Sequence, residues 1–393
     1  MLLWGNFYAF VVNGMLVLMT GAILPYLMKD FNLSYSQSGL LLSLQAVGNL
    51  TAGFLSGVAA MYWGRKATMA LGAVFFTVGF GGILFISSAF LLFLFIFISG
   101  MGWGTCNTMV NSVVNDAAGG RSSVINLLHM FFSIGGFMAP FIVGFSVRLG
   151  LSWQYDVMLV ALLSVVLIAV FLIMPVDSRK VQRSESKASV DFLSDFRFYI
   201  FMGIMFFYVG SETSINGWVV TYLIKSGIMG EAGAQNILSV MWVSMITGRL
   251  LCSYISTLIS KEKLVMGCSI SALLFFGLFL LLKTPVLMPF CIFGVGLSLA
   301  GIYPTSVANA GSYISRPGLA GGLLLSCGGL GASAVPYIAG IFAQRLGISA
   351  VMAAVLISMA MLLVFVSINL FTRSKATASS APPLSSLPPC EIR

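Results

Sequence analysis

Charged side chains are scarce in this sequence of 393 residues: Asp, Glu, Lys and Arg together make up 8% of it, and there is one histidine. A soluble domain carries about 25% charged residues, so this chain cannot cover a water-facing surface. Hydrophobic residues make up 59% of it, and the mean hydropathy is +1.02. The composition excludes collagen-like, disordered and nucleic-acid-binding proteins, and it predicts an integral membrane protein.

Several motifs are also missing. No G-x4-G-K-S/T loop occurs, so the sequence gives no support for ATP-driven transport by this chain. The six cysteines have no short spacing, so neither a disulfide framework nor a metal site is predicted. An enzyme needs a cluster of acidic, basic or nucleophilic groups, and this sequence offers one histidine and few acids within its apolar runs. We therefore expect no enzyme activity, no cofactor and no metal.

Apolar runs predict an all-α membrane protein with twelve transmembrane helices. A polar break splits them six and six and predicts an N-terminal half (1–175), a cytoplasmic linker (176–196), a C-terminal half (197–371) and a disordered cytoplasmic tail (372–393). The predicted spans are 6–28, 36–61, 67–88, 90–115, 123–148, 153–175, 197–224, 234–258, 263–283, 285–310, 317–343 and 349–371.

Basic residues collect in alternate loops. Twelve spans leave fourteen Lys and Arg on one side and five on the other, with Arg249 inside a span. By the positive-inside rule, this predicts a multi-pass protein of the cell membrane with both termini in the cytoplasm. Because insertion topology explains the net charge of +9, no nucleic-acid partner is expected.

The two halves repeat at an offset of 196 residues, which predicts a parallel pseudo-two-fold axis along the membrane normal. The matched residues are Gly14 with Gly210, Gly21 with Gly217, Gly135 with Gly331, Pro140 with Pro336, and Gly144 with Gly340.

The loop after the second span reads Gly57-Val-Ala-Ala-Met-Tyr-Trp-Gly64-Arg65-Lys66. It resembles the G-x3-D-R-x-G-R-K signature of the major facilitator superfamily, with Met61 and Tyr62 in place of the signature's Asp and Arg. The resemblance extends to about Phe371 and implies the two-half transporter fold. It also implies a cytoplasmic gate, whose predicted residues are Gly57, Gly64, Arg65, Lys66, Asp116 and Arg121.

Three further segments are similar to the fucose permease-like sugar:proton symporters: Gly210-Ser-Glu212-Thr-Ser-Ile-Asn216-Gly217-Trp218, Gly248-Arg249 and Leu128-His129. The resemblance implies a sugar-like solute moved together with protons. The symporter pattern includes acids in the first and fourth helices, and this chain has neither.

Ionisable residues inside the membrane are costly and are functional candidates by default. Glu212 and Arg249 are the two strong ones, and we predict that they, with His129, carry proton coupling. For His129 the alternative is a neutral histidine hydrogen-bonded between helices. A static ion pair that holds two helices together is the alternative reading of Glu212 and Arg249.

Polar residues recur at helical spacing on the predicted spans and indicate a cavity for a hydroxyl-rich solute. The alternative is interhelical hydrogen bonding without a ligand. The predicted substrate-binding residues are Gln45, Asn49, Asn107, Asn111, Tyr208, Asn216, Trp218 and Tyr303.

These observations predict a secondary active transporter of a small polar organic solute, sugar-like, working by proton-coupled alternating access. Its expected partners are the solute, protons and the lipid bilayer, and the expected state is a monomer. One alternative is a proton-coupled exporter of amphipathic drugs or lipids, consistent with 22 methionines and many aromatic residues. A transport-dead membrane sensor or a membrane enzyme is the other.

Overall fold

The computed structural model describes residues 1–119, 121–176, 191–314 and 320–379, and within these ranges the regular structure is entirely helical. A short 3-10 turn at Asp191–Ser194 precedes α6. The helices are α1 Leu2–Asp30, α2 Tyr35–Ile83, α3 Ala89–Ala117, α4 Ser122–Arg148, α5 Trp153–Ile173, α6 Phe196–Lys225, α7 Glu231–Ile255, α8 Lys261–Leu282, α9 Met288–Asn309, α10 Gly311–Ile314, α11 Ala320–Leu346 and α12 Ser349–Ser379.

Eleven of the described helices are long and apolar enough to cross a membrane. Helix α2 has 49 residues and would be about 74 Å long if straight, more than twice the thickness of the hydrocarbon core. It is interrupted at Gly64, where φ is 79° and ψ is 163°, a conformation open almost only to glycine. The interruption divides α2 into a first arm, 35–63, and a second arm, 65–83.

The two arms of α2 cross the membrane in opposite directions, as their packing against α3 shows. Along the first arm the residue numbers rise together with those of α3, because Gly100 lies against Gln45 and Gly104 lies against Asn49. Along the second arm they run oppositely, because Gly72 lies against Thr105 and Gly79 against Ser99. Eleven long helices therefore supply twelve crossings, which confirms the predicted count.

The internal repeat is visible in equivalent helix crossings. In the N-terminal half α1 crosses α4 at glycines, and in the C-terminal half α6 crosses α11 in the same way. The matching close approaches are Gly14 to Phe132, Gly135 to Val11, Gly210 to Gly331 and Gly331 to Phe206. Two of the pairs found at an offset of 196 residues, Gly14 with Gly210 and Gly135 with Gly331, thus occupy corresponding places, and the predicted two-half architecture is confirmed.

The helices differ in how much of their surface other helices cover. Of the most apolar window of α1, 83% is buried, against 39% for α5 and for α8. Helix α1 is therefore a central helix, and α5 and α8 keep wide apolar faces for lipid.

Two predicted segments fall partly outside the described ranges. Of the predicted linker 176–196, residues 177–190 lie outside them. The predicted tail starts at 372, but α12 continues to Ser379, and residues 380–393 lie outside the described part of the chain.

Candidate functional site

The two halves meet along three helix pairs: α1 with α6, α2 with α11, and α4 with α7. The halves are close at the end of the molecule where α1 finishes and α2 begins. There Gly21 lies against the backbone of Asn216, and Gly39 and Gly340 lie against each other. Glycine lets these backbones approach more closely than any residue with a Cβ would allow.

Hydrogen bonds between the halves close the same end. The Tyr26 hydroxyl donates to Glu231 Oε2 at 3.1 Å, and Gln235 Nε2 donates to the Ala22 main-chain oxygen at 2.7 Å. The Tyr35 amide donates to Gln344 Oε1 at 3.0 Å, and the Ser43 hydroxyl donates to the Ser333 main-chain oxygen. We call these contacts, together with the Gly39–Gly340 crossing, the closed seam.

Helices α2 and α11 separate toward the opposite end. Their last glycine contact along the first arm is that of Gly329 with Leu50. Beyond it, at Gly57 and at Gly322, no described atom lies within 4 Å of the place a Cβ would occupy, apart from the chain neighbours and the nearby backbone of the same helix. The protein is therefore closed at one end and open between α2 and α11 at the other.

A small cavity of about 40 Å³ lies between the halves, beside the closed seam. Predicted residues Gln45 and Asn216 line it, and so do Trp103 and Thr213; its other walls are Val17, Gly21, Leu42, Ala46, Gly217, Ala332 and Pro336. Sites for small organic ligands occupy about 300–1,000 Å³. A solute as large as a sugar therefore needs the halves to move apart around this cavity.

The two predicted amides on the cavity wall are held in place by neighbours. Gln45 Nε2 donates to the Thr20 hydroxyl at 2.9 Å. Asn216 Oδ1 accepts a hydrogen bond of 3.2 Å from Trp242 Nε1, which leaves the two amide donors of Asn216 for a ligand.

The predicted asparagine stripe continues from the cavity toward the open end along α3. Asn107 lies one helical turn beyond Trp103, and both Asn107 and Asn111 are half-buried. Asn111 Nδ2 donates to the Asn107 main-chain oxygen at 2.7 Å and to its Oδ1 at 3.0 Å. Asn49, also half-buried, flanks α3 at Gly104. The two amides on α3 thus share one face, as their spacing predicts.

On the C-terminal side an acid, two phenols and a cation converge from α6, α7 and α9. Glu212 keeps part of its surface exposed, with the Tyr208 hydroxyl and the charge of Arg249 as its neighbours. The Tyr208 and Tyr303 rings lie 5.8 Å apart between centroids. Four predicted residues are therefore brought together.

Glu212 and Arg249 do not form the static ion pair that was the alternative interpretation of the sequence. Within the described ranges the salt bridge is between Arg65 and Asp116, and Arg249 makes no direct ion pair with Glu212. Arg249 instead donates to the His129 main-chain oxygen at 2.9 Å and to the Ser133 hydroxyl. Helix α7 faces α4 at this level, so the long guanidinium reaches the other half.

His129 contributes its main chain rather than its ring to this contact. The imidazole packs edge-on against Phe10, with centroids 5.5 Å apart. Arg249 and His129 thus meet across the interface between the halves, on the open side of the cavity.

Trp218 requires a correction, because it does not line the cavity. Its side chain is fully buried, and its Nε1 donates to the Pro336 main-chain oxygen at 3.1 Å. Residue 218 faces α11, and the packing of α6 on α11 leaves no ring surface for a solute. Trp103 supplies the aromatic wall instead.

Sequence reasoning omitted Thr20 and Thr213. Thr213 Oγ1 donates to the Val209 main-chain oxygen at 2.7 Å, the usual behaviour of threonine in a membrane helix. Because this hydrogen bond is so common, the sequence gives little sign that Thr213 lines the cavity. The one available signal is that Thr213 follows Glu212 in the sequence.

The predicted gate residues gather at the open end. Arg65 Nη1 and Asp116 Oδ2 form a salt bridge of 2.5 Å between the second arm of α2 and the end of α3. Arg121 Nε donates to the Ala118 main-chain oxygen at 3.0 Å, and Lys66 is half-buried beside Arg65. These contacts lie within the N-terminal half.

The profile of the Major Facilitator Superfamily matches residues 7–336 of the chain. Among proteins of similar sequence, the glucose/mannose transporter GlcP of Bacillus subtilis (strain 168) is 23% identical over 80% of this chain and 80% of its own length. The Protein TsgA homolog of Erwinia tasmaniensis is 22% identical over 93% of this chain and 95% of its own.

Solved structures share the fold. A mutant of the nucleoside transporter NupG superimposes with a TM-score of 0.78 at 17% identity, covering 94% of this chain and 99% of its own. The D-xylose-proton symporter has a TM-score of 0.73 at 13% identity, covering 92% and 96%. These neighbours are transporters rather than enzymes.

Proposed function

This chain belongs to the Major Facilitator Superfamily, and from that premise we propose that it moves a small polar organic solute, sugar-like, by proton-coupled alternating access. It is a multi-pass membrane protein and not an enzyme. The single observation that carries the proposal is that the cavity between the halves is lined by an amide from each half, Gln45 and Asn216.

The chemistry of this junction fits a neutral solute rich in hydroxyl groups. Amide groups offer donors and acceptors together, and so do phenols. Gln45 and Asn216 lie on the cavity wall beside the Trp103 ring, and an aromatic face packs well on the apolar face of a sugar ring. Gln45 belongs to the N-terminal half and Asn216 to the C-terminal half, so a solute bound between them would contact both halves.

The neighbours support the same solute class. GlcP is named for glucose and mannose, and the structural neighbours are named for a nucleoside and for D-xylose with a proton. All four are hydroxyl-rich organic solutes.

Glu212 is the proposed proton-linked group. A carboxylate inside the membrane is costly unless it is neutralised by a proton or a cation. Arg249, the nearest cation, is held by α4 at His129 and Ser133. Movement of the halves breaks these two bonds and frees Arg249 to approach Glu212, so that conformation and protonation are coupled.

We propose further that the open end faces the cytoplasm and that both termini lie there. The gate residues Arg65, Lys66 and Arg121 are at this end, on the side that holds fourteen of the basic residues. The closed seam then lies outside, and the conformation is inward-facing.

The test is uptake into vesicles that contain the purified protein. Radiolabelled D-glucose, D-xylose and a nucleoside are offered separately with an inward proton gradient, with and without a protonophore, and empty vesicles serve as the control. We expect gradient-driven accumulation of at least one of them. Transport of a fluorescent amphipathic dye, with no uptake of any of the three, would favour the drug or lipid exporter and overturn the proposal.

A further inference from the structure

Two cysteines 16 residues apart in sequence, on successive helices, meet near the open end of the C-terminal half. Cys252 is one turn before the end of α7, and Cys268 is two turns inside α8. Their Sγ atoms are 3.9 Å apart, whereas the six cysteines show no short spacing in the sequence. A disulfide needs about 2.05 Å between the sulfurs, so both thiols are free and a small movement would join them.

A second cavity gives access to this pair. It has a volume of about 250 Å³, lies between α7, α8 and α9, and is walled by both cysteines together with Gly248, Lys263 and Ser298. This second cavity is separate from the cavity between the halves. Cys268 is half-buried, whereas Cys252 is 9% exposed, so an incoming reagent meets Cys268 first.

Gly301 on α9 makes room for the two sulfurs. A Cβ at this position would overlap Cys252 Sγ and stand 3.2 Å from Cys268 Sγ. The pair is thus packed into a place that a larger residue on α9 would not permit.

We propose that Cys252 and Cys268 are a reversible redox pair that closes a disulfide between α7 and α8, with a low-molecular-weight disulfide such as oxidised glutathione as the oxidant. The Cys268 thiol loses its proton and attacks one sulfur of the oxidant, whose S–S bond breaks and releases one thiol. The Cys252 sulfur then attacks Cys268 Sγ, loses its proton, and expels the second thiol. Two cysteines are oxidised by two electrons, and the oxidant is reduced to two thiols.

Closure would act next to the contact between the halves. Arg249 precedes Cys252 by one helical turn, and it is the residue that reaches His129 and Ser133 on α4. A disulfide ties this turn of α7 to α8, so it restrains α7 where α7 holds the other half. In the reducing cytoplasm such a bond would be transient, as redox-sensing disulfides there are.

The experiment uses the full-length purified protein in nanodiscs, reduced, freed of reductant and then exposed to oxidised glutathione well below its melting temperature. Remaining thiols are blocked in acid, and the digested peptides are identified by mass spectrometry. The variants are Cys252→Ser and Cys268→Ser, and Cys291→Ser is the matched control because Cys291 is a buried α9 cysteine outside the walls of this cavity.

We expect linked peptides of Cys252 and Cys268 in the wild type and in Cys291→Ser, removable by dithiothreitol. In Cys252→Ser we expect glutathione to stay on Cys268, because the resolving thiol is missing, and in Cys268→Ser we expect little modification of Cys252. The oxidised wild type should melt at a higher temperature than the reduced protein, with no such difference in the two variants.

Three outcomes would overturn the proposal. The first is that both thiols remain free. The second is that each carries glutathione without a link between them. The third is that the link forms only above the melting temperature, which would make it a product of the unfolded chain.

Discussion

Arg249 on α7 donates a hydrogen bond of 2.9 Å to the main-chain oxygen of His129 on α4, so a guanidinium of the C-terminal half is held by the backbone of the N-terminal half. The same Nη1 also donates to Ser133. The cation nearest to Glu212 is therefore bound to the opposite half. Any motion that separates α4 from α7 changes the electrostatic surroundings of Glu212.

The first prediction concerns the acid. Glu212→Gln keeps the shape of the side chain but removes its ability to bind and release a proton. We expect solute exchange across vesicles to continue and gradient-driven accumulation to fall to an inside-to-outside ratio near one. Both are measured side by side in vesicles that contain folded variant.

The control for this variant is Glu185→Gln, which removes an acid of the predicted linker and should accumulate solute as the wild type does. Full accumulation by Glu212→Gln would remove the residue from coupling.

The second prediction tests the link between the halves by a double-mutant cycle. Arg249→Met removes both bonds to α4, and hydrogen bonds to charged groups contribute about 1.5–3 kcal/mol. Because movement of the halves has to break these bonds, solute exchange by the variant should be faster than by the wild type, by about tenfold or more. Ser133→Ala alone should accelerate exchange less. In the Arg249→Met background, Ser133→Ala should add almost nothing, because the two residues act together.

Ser239→Ala is the matched control, since Ser239 donates within its own helix to the Gln235 main-chain oxygen. Additive effects of Arg249→Met and Ser133→Ala would contradict the link.

The third prediction concerns the closed seam. A Cβ at position 340 would stand 2.6 Å from the Tyr35 main-chain oxygen and 3.0 Å from Gly39 Cα, and backbone atoms cannot turn away as a side chain can. Gly340→Val should therefore hold the seam open. A cysteine introduced by Ser43→Cys, at a position that is 7% exposed, should then react faster with a polar maleimide.

Gly322→Val on the same helix is the matched control, because the space around Gly322 is open. Equal reaction rates in the two variants would show that the seam does not depend on close backbone contact.

The fourth prediction concerns the break in α2. Gly64→Ala places a Cβ on a residue with φ of 79° and ψ of 163°, at a cost of about 1–3 kcal/mol. The variant should unfold at a lower denaturant concentration than the wild type. Gly57→Ala lies on the same helix in open space and should not lower the midpoint, because alanine favours a helix more than glycine does. An equal loss of stability in both variants would show that the backbone conformation at Gly64 is not the cause.

The fifth prediction concerns orientation. In intact cells, a cysteine introduced by Ser184→Cys in the predicted linker should resist a membrane-impermeant thiol reagent, and one introduced by Gly230→Cys should react. The expectation follows from the basic asymmetry and the even number of spans. The opposite labelling pattern would show that the chain has the reverse orientation in the membrane and that the open end faces outward.

Most of the fold follows from the sequence. The span count, the two halves and the offset of 196 residues depend on hydropathy and on small residues, which are properties of each helix and of the register between repeats. The stripe of Asn107 and Asn111 follows from the helical period alone. These features do not depend on which helices pack against one another.

The neighbours of each side chain were decided by the tertiary structure. Spacing put Trp218 on the same helix as the site, but the rotation of α6 turned its ring toward α11. Arg249 was predicted beside Glu212, yet the crossing of α7 with α4 made His129 its partner. Cys252 and Cys268 met only because α7 and α8 both pack against α9. Hydropathy and periodicity are local along the chain, whereas helix rotation and crossing depend on every neighbouring surface at once, and that is why these contacts could not be read from the sequence.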